Sequence, residues 1–208
     1  MNHKTKPYVN YVLIAANIIV FFVAEVTGGT TNTAHMIEIG ATYTPLVTQG
    51  EFYRLFTAMF LHFGFEHLLG NMVTLFLVGD YLERYLGRLW YAVLYLAGGL
   101  FAGWFSWRHE IAIGEDTVSA GASGAIFAAI GGLLVLVAVH RGRLENLTLR
   151  RILLMIVFSL YTGFREQGVD GFAHLGGFIA GVVIALILVP AQIKRQQSRS
   201  QYQEVHSK

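Results

Sequence analysis

The sequence predicts an all-α membrane protein, a polytopic bundle of six transmembrane helices forming one domain. Three observations predict it. Of 208 residues, 54% are apolar and 13% are charged, against roughly 25% charged in ordinary soluble domains. The apolar residues gather into six runs, at about Tyr11–Val26, His67–Leu82, Leu89–Trp107, Ala120–Val139, Leu149–Phe164 and Phe172–Val189. Finally, the basic residues alternate in density between these runs. With the N-terminus in the cytoplasm, twelve of the fifteen fall on that side: Lys4, Lys6, Arg84, Arg88, Arg141, Arg143, Arg150, Arg151, Lys194, Arg195, Arg199 and Lys208. Only Arg54, Arg108 and Arg165 fall outside. The bias of Lys and Arg toward cytoplasmic loops thus favours six crossings with both termini inside, and an odd number would spoil the alternation.

Residues 1–10 read as a cytoplasmic N-terminus, 11–190 as the bundle, and 191–208 as a cytoplasmic polar tail, disordered or on the membrane surface. The first run ends in small residues at Thr27-Gly28-Gly29. It reads as a retained span rather than a cleaved signal, because five more runs follow. A crossing needs ~20 residues, so the first, second and fifth runs need flanking residues or a locally thinner bilayer. The connection at about Thr27–Glu66 is too apolar for a plain solvated loop. Its stretch Glu51–Leu61 is amphipathic and aromatic, so it is expected in the interface or dipping into the bilayer, with a broken seventh span as the alternative. The basic loop Arg141–Arg151 reads as a topology determinant, not a nucleic-acid patch. The chain has no cysteine, which excludes disulfides, thiolate nucleophiles and cysteine-based metal sites.

The chemistry-bearing residues sit at the starts of three runs. Ser123 lies in Gly121-Ala122-Ser123-Gly124, and His174 lies in Ala173-His174-Leu175-Gly176-Gly177. His67 and Asn71 open the second run and, at i and i+4, share one helix face. The second, fourth and sixth runs all cross from outside to inside, so all four side chains lie near the outer face at similar depth. Polar groups in a bilayer are costly and mark function. A serine hydroxyl needs a base, and a neutral histidine supplies one. Attack on an amide creates an oxyanion, which needs fixed donors. Asn71, His67 and the first N–H groups of the fourth helix qualify. No acidic residue shares that depth, which suggests a dyad. Gly177 and Gly181 form a small-xxx-small face for close helix packing. His35, His62 and His109 read as loop or interfacial residues. A metal trio of His62, His67 and His174 lacks a carboxylate or outer-shell partner, so no metal or other cofactor is expected.

These segments resemble the rhomboid family of intramembrane serine proteases across nearly the whole chain. The ordered set is His67-x-x-x-Asn71, Gly121-x-Ser123-Gly124 and Ala173-His174 with Gly177-x-x-x-Gly181. The resemblance implies a serine endopeptidase with Ser123 as nucleophile, His174 as general base, and His67 and Asn71 supporting the oxyanion. It implies transmembrane protein substrates reached within the lipid bilayer, and structural roles for Arg54 and Glu83-Arg84. The compact core and the lack of a transit-peptide pattern fit a bacterial plasma membrane. Two positions depart from the family pattern. Tyr53 stands where the loop often carries Trp, and Phe127 stands where Tyr can occur one turn after the serine. A Phe127 ring still allows stacking on His174 but offers no hydroxyl.

A rival reading, a transporter or channel, predicts broken helices and polar residues near the bilayer centre, whereas these lie near one end. An inactive client-binding relative is disfavoured because both Ser123 and His174 are present.

Overall fold

A computed structural model of the chain describes residues 6–144, 147–154, 156–157 and 169–206, with side chains up to Ile193. It is predominantly helical. Helix α1 (Tyr8–Thr27) begins after Pro7, whose ring suits a helix start. Short helices α2 (Thr33–Glu38), α3 (Thr44–Thr48) and α4 (Arg54–Thr57) follow, the last running into a 3₁₀ turn at Ala58–Phe60. Helices α5 (Phe65–Leu86), α6 (Arg88–Ile113), α7 (Ser123–Val139) and α8 (Gly171–His206) complete the bundle. Two-residue antiparallel ladders add small ties. β1 (Thr42–Tyr43) pairs with β2 (Val118–Ser119), and β3 (Arg143–Leu144) pairs with β4 (Leu147–Thr148).

Among the described residues, three helices are long and apolar enough to cross a membrane: α1, α6 and the stretch Gly171–Ile193 of α8. Helix α4 with its 3₁₀ turn and α5, bent by 90° at a short break, pass the same test together, as a broken span or a re-entrant loop. This bend is where the aromatic stretch Glu51–Leu61 was expected to dip toward the bilayer. Helix α7 has 17 residues, ~26 Å at 1.5 Å per residue, short of the ~30 Å hydrocarbon core. Half of the fifth apolar run, Tyr161 included, lies outside the described residues, as does Arg165 after it.

Helix α7 is the hub. Thirteen of its residues are buried, from Gly124 to Val137. A helix apolar on every side belongs in the interior of a bundle, and α5, α6 and α8 surround this one. Lipid-facing residues lie outside: Val12, Phe22 and Val26 on α1, Val73 and Leu77 on α5, Ile187 on α8.

Small residues allow α7 and α8 to touch backbone to backbone. A methyl group added at Gly181 would run into the Ala128 carbonyl, and one at Gly131 would meet the Phe178 carbonyl. The small-xxx-small face of Gly177 and Gly181 therefore packs on α7, through backbone approach rather than side-chain burial.

The end of the bundle opposite Ser123 is closed by Glu83. This buried carboxylate accepts the Val9 N–H at 3.0 Å and the Asn10 N–H at 2.7 Å. These are among the first N–H groups of α1, which have no partner within the helix. Asn10 in turn donates to the Leu75 carbonyl at 3.1 Å and accepts from the Tyr91 hydroxyl at 2.7 Å. Arg84 pairs with Asp80 at 2.8 Å.

The tail, expected to be disordered or on the membrane surface, is helical. Helix α8 continues through Pro190 to His206. Its tail is rich in Gln, Arg and Lys, good helix formers. Gln192 also donates to the Leu86 carbonyl at 2.7 Å, tying the start of the tail to the C-terminal end of α5.

Candidate active site

Ser123 is the first residue of α7, His174 the fourth of α8, and His67 and Asn71 the third and seventh of α5. The loop before Ser123 makes a sharp entry. Gly121 has φ +145°, a region that L side chains rarely adopt, and a Cβ there would lie 2.9 Å from the His67 ring and 3.6 Å from Ser123 Oγ. The absent side chain is what lets His67 sit beside the serine. Gly121 N–H is taken by the Ala58 carbonyl at 2.9 Å, and Ala122 N–H by His62 Nε2 at 3.3 Å. Backbone donors free to face a ligand at this helix start therefore begin with Ser123 itself.

His174 is 6% exposed and stacks on Phe127, with ring centroids 4.3 Å apart and planes within 15°. The stack fixes the imidazole plane without the hydroxyl of a tyrosine. Both ring nitrogens are buried and have no hydrogen-bond partner. Ser123 is thus not hydrogen-bonded to His174 in this state, and no carboxylate orients the ring directly. Such contacts are commonly loose before substrate binds. Asn71 is 8% exposed, and its amide nitrogen also lacks a partner. Buried polar groups are ordinarily satisfied. His174 and Asn71 thus both retain unused hydrogen-bonding capacity.

A cavity opens beside Ser123. Gly121, Gly124 and Ala173 line one side, and Ser106, Glu110 and Asp170 line the polar side. Two neighbours escaped sequence reasoning. His62, expected as a plain loop residue, is completely buried, meets His67 edge to face at 5.2 Å and holds the Ala122 N–H. Nothing in its local pattern signals that burial. Asp170 accepts Ser106 Oγ at 2.7 Å, Ser119 Oγ at 3.0 Å and Ala173 N–H at 2.8 Å. Its legible signal was an aspartate just before an apolar run, the mark of a helix N-cap.

The segment between α1 and α5 is pinned by Arg54. Its buried guanidinium binds Glu51 at 2.6 Å and donates to the carbonyls of Ile37 and Ala41. Tyr53, at the position where Trp was expected, donates to Glu51 at 2.9 Å. Hydrogen bonds from Arg54 and then Tyr53 hold the Glu51 carboxyl below its usual range. His109 packs on Phe172 and His35 contacts Thr27, so neither reaches the site. Among the described residues, no three His, Cys, Asp or Glu side chains are grouped to hold a metal.

The sequence profile of the Rhomboid domain matches residues 49–191, which contain all four candidate residues. Rhomboid protease GluP of Bacillus subtilis is 36% identical over 183 residues, covering 88% of this chain and 35% of that protein. RHOMBOID-like protein 5 of Arabidopsis thaliana is 37% identical over 154 residues, 73% of this chain and 49% of its own. Rhomboid protease AarA of Providencia stuartii is 30% identical over 207 residues, covering 88% and 73%. The chain thus spans about a third of the first relative and about half of the second. Its long apolar helices and this match identify an integral, multi-pass membrane protein, and the chain belongs to the rhomboid family.

Proposed function

We propose that this chain is an intramembrane serine endopeptidase that hydrolyses peptide bonds in or near transmembrane segments of other membrane proteins. The observation that carries the reading is the meeting of three helix starts. In support, Ser123 lines a cavity and Gly121 lies against both its hydroxyl and the His67 ring, Phe127 one turn on stacks on His174, and nitrogens of His174 and Asn71 are buried without partners. A Ser123–His174 dyad with His67 and Asn71 supporting the oxyanion accounts for all four residues.

In this mechanism Ser123 Oγ attacks the substrate carbonyl while a nitrogen of His174 takes its proton. Negative charge collects on the carbonyl oxygen. The Asn71 amide, the His67 ring N–H and the Ser123 backbone N–H donate to it, in a setting where little water competes. His174 then gives its proton to the leaving amine. Water entering by the cavity repeats the sequence to release the acyl group. A helical substrate hides its carbonyls, so entry from the bilayer requires local unwinding. Gly or Pro in the substrate makes that easier.

We further propose six crossings, with both termini in the cytoplasm and the dyad near the outer face. The twelve-to-three distribution of Lys and Arg supports this orientation. A bacterial plasma membrane is the proposed location. Purified protein in liposomes with one transmembrane substrate tests the activity. The parent should cleave and Ser123→Ala should not. Cleavage by a folded Ser123→Ala protein would overturn the assignment.

A further inference from the structure

Asp170 stands four residues before His174, and Ser119 stands four residues before Ser123. The two are hydrogen-bonded at 3.0 Å. The tie therefore joins the segment that delivers the nucleophile to the segment that delivers the base. Asp170 also caps α8 by accepting the Ala173 N–H at 2.8 Å, and it anchors on α6 through Ser106 Oγ, 2.7 Å from each carboxylate oxygen. Ser119 is held from its other side, because Thr42 Oγ1 donates to its carbonyl at 2.7 Å within the β1–β2 ladder. Ser106 is 4% exposed and also reaches Glu110 at 3.4 Å, so the anchor lies within the packed body of the bundle.

We propose that Asp170 is a positioning residue that sets the Ser123–His174 separation by clamping β2 and the start of α8 to α6. This role rests on the protease reading above. Asp170 does not bond the imidazole, whose two nitrogens are without partners. It acts on where the ring stands. The α7–α8 contact fixes the distance between the helix axes, but it leaves sliding along them and the entry angle of the loop before Ser123 less constrained. The carboxylate ties both of these to one point. Serine is needed at 106 and 119 because a short hydroxyl is the donor that reaches a carboxylate lying between two backbones.

The test uses the full chain in liposomes with one transmembrane substrate. Asp170→Ala should lower kcat by about 10²-fold, the scale of a 1 Å misplacement at a reacting centre, with KM little changed. Asp170→Asn should recover most of that rate. Its amide oxygen can accept from Ala173 and Ser106 while its NH₂ donates to Ser119 Oγ, which turns to accept. Ser119→Ala should lose part of the rate, and adding it to Asp170→Ala should cost nothing more, since both remove one tie. Equal losses in Asp170→Asn and Asp170→Ala would overturn the clamp in favour of the charge itself. Independent losses from Ser119→Ala and Asp170→Ala would overturn it as well, as would parental kcat in a folded Asp170→Ala protein. If Asp170→Ala fails to fold, the Asp170→Asn and Ser119→Ala rates decide, and parental kcat in Ser119→Ala overturns the clamp. A parent that neither cleaves nor reacts at Ser123 with a fluorophosphonate would instead refute the protease reading.

Discussion

Replacing Gly177 with alanine drives a methyl group into the carbonyl of Gly124, the residue that follows Ser123, the proposed nucleophile. Gly177 lies three residues after His174, so the clash falls within one helical turn of both members of the dyad. Real Cβ contacts essentially never come closer than 3.0 Å, and the added carbon would sit well inside that limit against backbone, which cannot rotate away. The helices must part by about 1 Å, and displacement on that scale at a reacting centre costs ~10² in rate. That loss corresponds to about 2.7 kcal/mol of transition-state stabilisation. Overpacking of this kind also costs about 1–3 kcal/mol of stability, so folding must be checked beside activity. Steady-state cleavage of a transmembrane substrate in liposomes, with thermal unfolding of the same preparation, measures both. Gly70→Ala on α5 is the control. Nothing lies within 4 Å of its added carbon, and it should cleave normally. A folded Gly177→Ala protein with parental kcat would refute the reasoning that backbone contact between α7 and α8 fixes the spacing of the helices that carry the proposed dyad.

Three further predictions follow from the same geometry. His67→Ala and Asn71→Ala should each lower kcat more than they raise KM, by less than the ~10²–10³ seen for a sole oxyanion donor. The double variant should lose clearly more, and steady-state kinetics decides it. Single cysteines at Thr33 and Gln197 of this cysteine-free chain should react with an impermeant thiol reagent from opposite sides, Thr33 from outside and Gln197 only after the membrane is opened. Glu51 titrates below the usual carboxylate value near 4.5 because Arg54 and Tyr53 donate to it. Its contribution to the outer loop is therefore fully present above that value and is lost as pH falls through the lowered one. Hydrogen exchange of residues 51–57 should stay constant from pH 5 to 8, after correction for intrinsic rates, and rise below the ordinary carboxylate range.

The parts of this site that were legible from sequence are those whose signal is local. Ser123 and His174 are flanked by glycines and open long apolar runs, so costly polar groups coincide with helix starts. Gly177 and Gly181 repeat at four residues, so their packing role is visible without knowing the partner. What remained hidden depends on contacts between distant residues. Asp170 could be read as a helix cap, but its partners Ser119 and Ser106 are 51 and 64 residues away. His62 is buried because Ala122 folds back over it from 60 residues on. Glu83 has an i+4 neighbourhood that says nothing of the α1 N–H groups it satisfies from 73 and 74 residues away. The tail's helix was not read from its polar composition, which suggested disorder or a place on the membrane surface, although Gln, Arg and Lys are also helix formers and Gln192 docks the first turn beyond Pro190.

The central claim is that Ser123 is a nucleophile activated by His174. Reaction of the purified protein with a fluorophosphonate, followed by peptide mass spectrometry, tests it most directly. A single adduct on Ser123, absent from Ser123→Ala and formed far more slowly in folded His174→Ala, is the predicted result. Modification at another residue, or an undiminished rate at Ser123 without His174, would contradict the account.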